Sequence, residues 1–153
     1  CDDITLVNVG NDPMELKSNI EHDLRKIEEW LMLNRLVPNA DKTKYILFHN
    51  KKKFENFTGA SLNIRFSGKT IERVENVKVL GLIIDETLSF KPHIQSIKDQ
   101  VISFSYATKR IRHLISDKTA IDLYYAHVQS RLIYMSSIWS SAANYNINSL
   151  EYY

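Results

Sequence analysis

Near Phe90 the spacing of apolar side chains changes, and this change constrains the fold more than any single residue does. Upstream, Leu62, Ile64 and Phe66 alternate with Asn63 and Arg65, the period of a half-covered strand. Downstream, Ile94, Ile97, Val101, Phe104, Thr108 and Ile111 step by three and four, which predicts a long amphipathic helix from about Pro92 to His113. Ser116-Asp117 restarts the chain into a second helix with Ala120, Leu123, Tyr124, Val128, Leu132 and Met135 on its apolar side. The expectation is an α+β chain: a mixed part at 1–86 with a small antiparallel sheet and a packed helix, then an all-helical part at 87–153.

The mixed part opens with Asp2 and Asp3 running into the β-rich stretch Ile4 to Val9, which ends at the turn residues Gly10-Asn11. Asp12-Pro13-Met14-Glu15 predicts a helix start: the carboxylate caps free N–H groups, proline fits the first helical position, and Glu15 completes a capping box. Leu16, Ile20, Leu24, Ile27 and Leu31 give that helix one apolar face, with Asn34 as a left-handed C-cap and Pro38 blocking continuation. Lys44 to Phe48 is expected to be a short buried strand, and His49 to Ala60, with Lys51-Lys52-Lys53, an exposed loop. Ser67-Gly68 predicts a tight turn into Lys69 to Val74. Val77 to Ile84 is expected to form a longer apolar strand, where Gly81 signals a bulge or the close approach of another backbone.

Composition excludes several classes. With 44% hydrophobic and 25% charged residues the chain is globular rather than disordered. The single Cys1 allows neither an internal disulfide framework nor a cysteine-based zinc site, and a reducing, intracellular compartment is the expectation. No apolar run approaches the roughly 18 residues of a membrane span, so no membrane partner is expected. The net charge of +2 is uneven: residues 1–86 carry 13 Lys+Arg against 14 Asp+Glu, and residues 87–153 carry 7 against 4. That basic excess fits either a solvated helix face or an anionic partner.

Paired carboxylates at the tip of a strand hairpin form a magnesium site when a third acid lies close by, because hard divalent cations take oxygen ligands. Alone, Asp2-Asp3 is a weak signal, since nine Asp in 153 residues make an adjacent pair about an even chance. The following blocks, in order, are what give it context. Cys1-Asp2-Asp3 resembles the tail of the Tyr/Phe-Ala-Asp-Asp box of the reverse transcriptase domain of non-LTR, jockey-like retrotransposons. "WLMLNRLVPNADKTKYILF" (Trp30 to Phe48) resembles that family's W-x3-N-x-L-x-x-N-x-x-K-T block. "VKVLGLIIDETLSFKPHI" (Val77 to Ile94) is similar to its segment with a Leu-Gly pair, an Asp, an aromatic and a His. "LYYAHVQSRLIYMSSIW" (Leu123 to Trp139) is similar to its thumb-region signature. Two departures stand out: Cys1 where Ala is usual beside the Asp pair, and Met135 where Gly commonly follows Tyr.

The resemblance implies the C-terminal part of a polymerase palm at 1–86 and a thumb-like helical region at 87–153. It also implies that the fingers and the strand carrying a third metal-binding Asp precede Cys1 in a longer polyprotein, so that this chain by itself is inactive. Asp2 and Asp3 would hold Mg²⁺ at the primer 3′ oxygen and the incoming deoxynucleoside triphosphate. Lys42 would balance or protonate the departing pyrophosphate, although a solvated loop lysine fits the same position. Leu80 and Gly81 would lie against the primer end; a simple bulge accounts for the same glycine. Lys98, Lys109, Arg110, Arg112 and Arg131 would contact phosphates of an RNA template and DNA primer, or else form a solvated face. His93 and His113 are expected as capping or surface residues, and Trp30, Trp139, Tyr124, Tyr125 and Tyr134 as core or interface. The competing function is a non-catalytic nucleic-acid-binding module derived from a retroelement, supported by the basic second part.

Overall fold

The computed structural model describes residues 4–49 and 62–140. The expected strand and loop residues 1–3 and 50–61, including Lys51-Lys52-Lys53, and the Ser/Asn/Tyr-rich stretch 141–153 lie outside the described residues. Helices alternate with short strand pairs, an α+β arrangement. Contacts divide the chain into two compact units, Cys1–Glu75 and Asn76–Tyr153. The change of period falls near Phe90, whereas the strand pair just before it groups with the helices that follow.

In the first unit, α1 (Pro13–Leu33) starts where Asp12 accepts hydrogen bonds from the Met14 and Glu15 amides, at 3.0 and 3.1 Å. It ends in a Schellman motif. The Leu36 amide donates to the Leu31 carbonyl at 2.8 Å and the Arg35 amide to Met32 at 3.0 Å. The left-handed residue is therefore Arg35, with φ 57°, and not Asn34, whose φ is −90°. Leu16, Leu24 and Leu31 from α1 are buried with Leu62, Ile64, Phe66 and Ile71, so the three-and-four spacing and the alternation meet in one core. Strand β1 (Lys44–Tyr45) pairs in parallel with β4 (Glu72–Arg73), while β2 (Arg65–Phe66) and β3 (Lys69–Thr70) form a hairpin across Ser67-Gly68. Both turn residues have positive φ, which matches the twist of the flanking strands.

Further expectations are corrected here. Residues 4–10 form no strand, and Val9 is 90% exposed. A strand needs a neighbour for its backbone groups, and among the described residues this stretch is held instead by Asn8, whose amide donates to Asp23 on α1 at 2.9 Å. That hydrogen bond holds the Asp23 carboxyl below its ordinary range. The strand expected at Lys44 to Phe48 shrinks to Lys44–Tyr45: Leu47 packs against the core, but Phe48 is exposed. The single small antiparallel sheet is likewise replaced, among the described residues, by separate two-stranded pairs, one of them parallel.

In the second unit, Val77 to Ile84 is not one strand. It is a hairpin of β5 (Asn76–Val79) and β6 (Leu82–Asp85), turning at Leu80-Gly81 with φ of 48° and 90°. Positive φ at both turn residues is the two-residue hairpin geometry, so Gly81 marks a turn and not a bulge. Helix α2 (Lys91–Ile111) follows, burying Ile94, Ile97 and Val101 against Leu82, Phe90 and Trp139. A 3₁₀ turn (Arg112–Leu114) leads to α3 (Asp117–Tyr124), where Ser116 caps the Thr119 amide. A π-helical turn (Tyr125–Gln129), α4 (Ser130–Ile133) and α5 (Ser136–Trp139) complete the described unit. The expected second helix is thus broken before Ser136, because Met135 adopts a left-handed φ of 50°.

Candidate functional site

The structure explains the spacing of the Trp30 to Phe48 block. The Asn34 side-chain amide donates to the Trp30 carbonyl at 2.8 Å, and the Leu36 amide closes the helix end on Leu31. Asn39 then organises the next turn. Its side chain accepts from the Lys42 amide at 3.2 Å, and its carbonyl accepts the Thr43 hydroxyl at 2.9 Å. Lys42 is exposed on this fixed turn. A lysine so placed is a point charge with a held backbone and a mobile tip. Trp30, expected in core or interface, is 53% exposed. Asp2 and Asp3 lie outside the described residues.

In the second unit the Leu80-Gly81 tip meets Tyr134. The Tyr134 hydroxyl donates to the Leu80 carbonyl, and a Cβ placed on Gly81 would lie 3.2 Å from Tyr134 Cε1. The tyrosine ring fills the space a side chain at Gly81 would take. Met135 in its left-handed conformation ends α4 and turns the chain so that the Trp139 indole donates to the Tyr134 carbonyl at 2.9 Å. This is the position where the resembling family commonly has Gly, and the positive φ gives the physical reason. Trp139 is buried and sits edge-on to His93, with ring centroids 6.1 Å apart.

His93 corrects the expectation of a capping or surface residue: it is only 6% exposed. Its Nδ1 accepts from the Ile83 amide at 3.4 Å, and Nε2 has no hydrogen-bond partner among the described residues. Burial, reinforced by the charge of Lys78, lowers its pKa, so the ring is neutral at pH 7. Asp85 is 8% exposed and accepts from the Thr87 hydroxyl at 2.6 Å and from the Thr87, Ser89 and Phe90 amides at 3.3, 3.1 and 2.7 Å. Burial opposes its ionisation, but the hydrogen bonds outweigh that and hold the carboxyl below its ordinary range. Asp85 therefore shapes the loop that starts α2, and it holds Phe90 in a left-handed φ of 53°. No grouping of three or more His, Cys, Asp or Glu among the described residues could hold a metal ion.

The cations are spread around α2. Lys98 and Lys109, eleven residues apart, share one flank to within about 20°, while Arg110 points about 100° away. Lys109 and Arg110 are exposed. Arg112 binds the Ile115 carbonyl at 3.1 Å and the Asp117 carboxylate, tying the end of α2 to the start of α3. Arg131, half-buried, borders a shallow groove with Asp99, Gln100, Ser103 and Phe104, and Phe104 stacks on His127 at 4.6 Å. Lys109 and Arg110 are thus neighbours in sequence, and the groove bordered by Arg131 lies on Arg110's flank of the helix, since Asp99 and Ser103 precede Arg110 by eleven and seven residues.

Two curated relatives are similar to this chain along nearly its whole length. The RNA-directed DNA polymerase from mobile element jockey of Drosophila funebris is 23% identical over 157 residues, covering 99% of this chain and 16% of that protein. The enzyme of the same description from Drosophila melanogaster is 22% identical over the same length, with the same coverage. This likeness supports an origin related to retrotransposon reverse transcriptases. The chain spans about a sixth of the length of these relatives. No family model and no solved structure matches the chain.

Against that origin, the residues that sequence reasoning missed are hydrogen-bonding ones. Asn39 and Asp85 each organise a turn, His93 bonds strand β6 and Tyr134 bonds a hairpin tip, and each lies in one of the resembling blocks. A legible signal existed for Asp85, since Asp followed at two and four residues by Thr and Ser is a capping pattern. For His93 and Tyr134 no sequence signal existed, because their partners are backbone groups 10 and 54 residues away.

Proposed function

We propose that this chain is part of an RNA-directed DNA polymerase of a non-LTR, jockey-like retrotransposon, supplying the C-terminal part of the palm and a helical thumb-like region. The likeness to two such polymerases along 99% of the chain carries this reading. Its partners are an RNA template, a DNA primer and deoxynucleoside triphosphates. Asp2 and Asp3 are the residues given to Mg²⁺, since carboxylate oxygens suit a hard cation and no described cluster offers an alternative. When bound, the ion stabilises charge on the attacking and leaving oxygens of nucleotidyl transfer. Lys42 places a cation on a fixed turn for the departing pyrophosphate. The Leu80-Gly81 tip faces the primer strand, and Lys98, Lys109, Arg110, Arg112 and Arg131 supply sequence-independent attraction to the duplex.

The test is primer extension on an RNA template. This chain alone should incorporate no nucleotide, and the longer polypeptide that joins it to its preceding coding sequence should incorporate nucleotides in a Mg²⁺-dependent way. Incorporation by the chain alone, or none by the joined polypeptide, contradicts the proposal.

A further inference from the structure

We infer that Tyr134 is a positioning residue for the β5–β6 hairpin: it fixes the Leu80-Gly81 tip so that the Leu80 side chain stands in one place as a contact for bound nucleic acid. The contact to nucleic acid rests on the function proposed above; the positioning rests on the geometry alone.

Leu80 is a leucine in a left-handed conformation, φ 48°, and the residue is 69% exposed. A bulky residue in that region of backbone space persists only where its surroundings hold it, and burial offers no compensation here. The β5–β6 pairing sets this turn, and Tyr134 braces it: its hydroxyl binds the Leu80 carbonyl while its ring lies against Gly81. Tyr134 is itself fixed, because its own carbonyl accepts the indole N–H of buried Trp139. The left-handed Met135 supplies the bend that brings these groups together. A second tether acts lower on the hairpin, where His93 on α2 accepts the Ile83 amide. The hairpin is thus held at its tip and along β6, and the side chain left exposed at the tip is an apolar one. An apolar contact made to the sugar-phosphate backbone and not to a base edge carries no sequence information, which suits a surface that must accept any primer.

The measurement compares the unaltered chain with Leu80→Ala, Tyr134→Phe and the double variant, reading amide hydrogen exchange and affinity for an RNA–DNA hybrid duplex at fixed salt. Tyr134→Phe keeps the ring and removes the hydroxyl. Exchange at Val79 and Leu82, the pair flanking the turn, should rise about tenfold, with no change at Val77 and Ile84, the next hydrogen-bonded pair away from the turn. Each single variant should weaken duplex binding about fivefold, and the double variant no further than either one, because the tyrosine acts through the leucine. Unchanged exchange in Tyr134→Phe would overturn the positioning role. Additive losses of affinity would show that the two residues act separately and would overturn the link between them. Absence of duplex binding by the unaltered chain would overturn the contact together with the function it rests on, leaving the exchange result to decide the positioning role alone.

Discussion

Asp85 gathers the amides of Thr87, Ser89 and Phe90 and the Thr87 hydroxyl around one buried carboxylate. Its removal leaves those donors unsatisfied. Asp85→Ala should therefore cost about 3 kcal/mol of stability in urea unfolding, and an unchanged midpoint would contradict the role given to it. Acid should act on the same region. His93 has a lowered pKa, so the unfolded chain takes up its proton first, and stability falls as pH drops below about 6.5 toward the folded value. Asp85, also lowered, contributes stability that is present above about pH 4 and lost as pH falls through its folded value. Melting temperature should be flat above neutrality and fall on acidification, with His93→Gln removing the earlier part of the fall. At this scale the sequence was informative where a side chain bonds its own neighbours. It was silent where the partner is distant: nothing around His93 announces the Ile83 amide, and an apolar run with Leu-Gly in its middle does not announce a turn.

Elements follow the same division. The spacing of Leu16, Leu24 and Leu31, the Asp12 cap and the alternation of Leu62, Ile64 and Phe66 were all legible, because helices and half-buried strands advertise their period. Asp12→Ala should lower stability by about 1 kcal/mol, checked by thermal unfolding, since Pro13 still favours the helix start. The breaks were less legible. Arg35 and Met135, not glycines, carry the left-handed residues that end α1 and α4, so the usual punctuation is missing from both places. The π-helical turn at Tyr125–Gln129 shifts the register of the residues after it, and the apolar periodicity running through Tyr124, Val128 and Leu132 hides the shift. The run Ile4 to Val9 misled for the opposite reason: β-branched composition favours a strand, but pairing requires a neighbour, and none is present among the described residues.

The chain as a whole consists of two units, and its likeness to jockey polymerases runs through both. The order of the blocks was readable, while the reason for their spacing was not. The structure supplies that reason as local capping in one block and as the Tyr134 contact between two others. Charge acts at this scale too. Lys109 and Arg110 are exposed and adjacent, so Lys109→Ala with Arg110→Ala should weaken RNA–DNA binding uniformly across sequences and reduce the salt slope by about 2; an unchanged slope would remove them from the interface. The most direct measurement is made on the longer polypeptide that the proposed function calls for, reading nucleotide incorporation and duplex binding together for Asp2→Asn and Asp3→Asn. A polymerase palm predicts that either substitution lowers incorporation by at least about a hundredfold while binding and melting temperature stay unchanged. Full incorporation in either variant would contradict the proposed function.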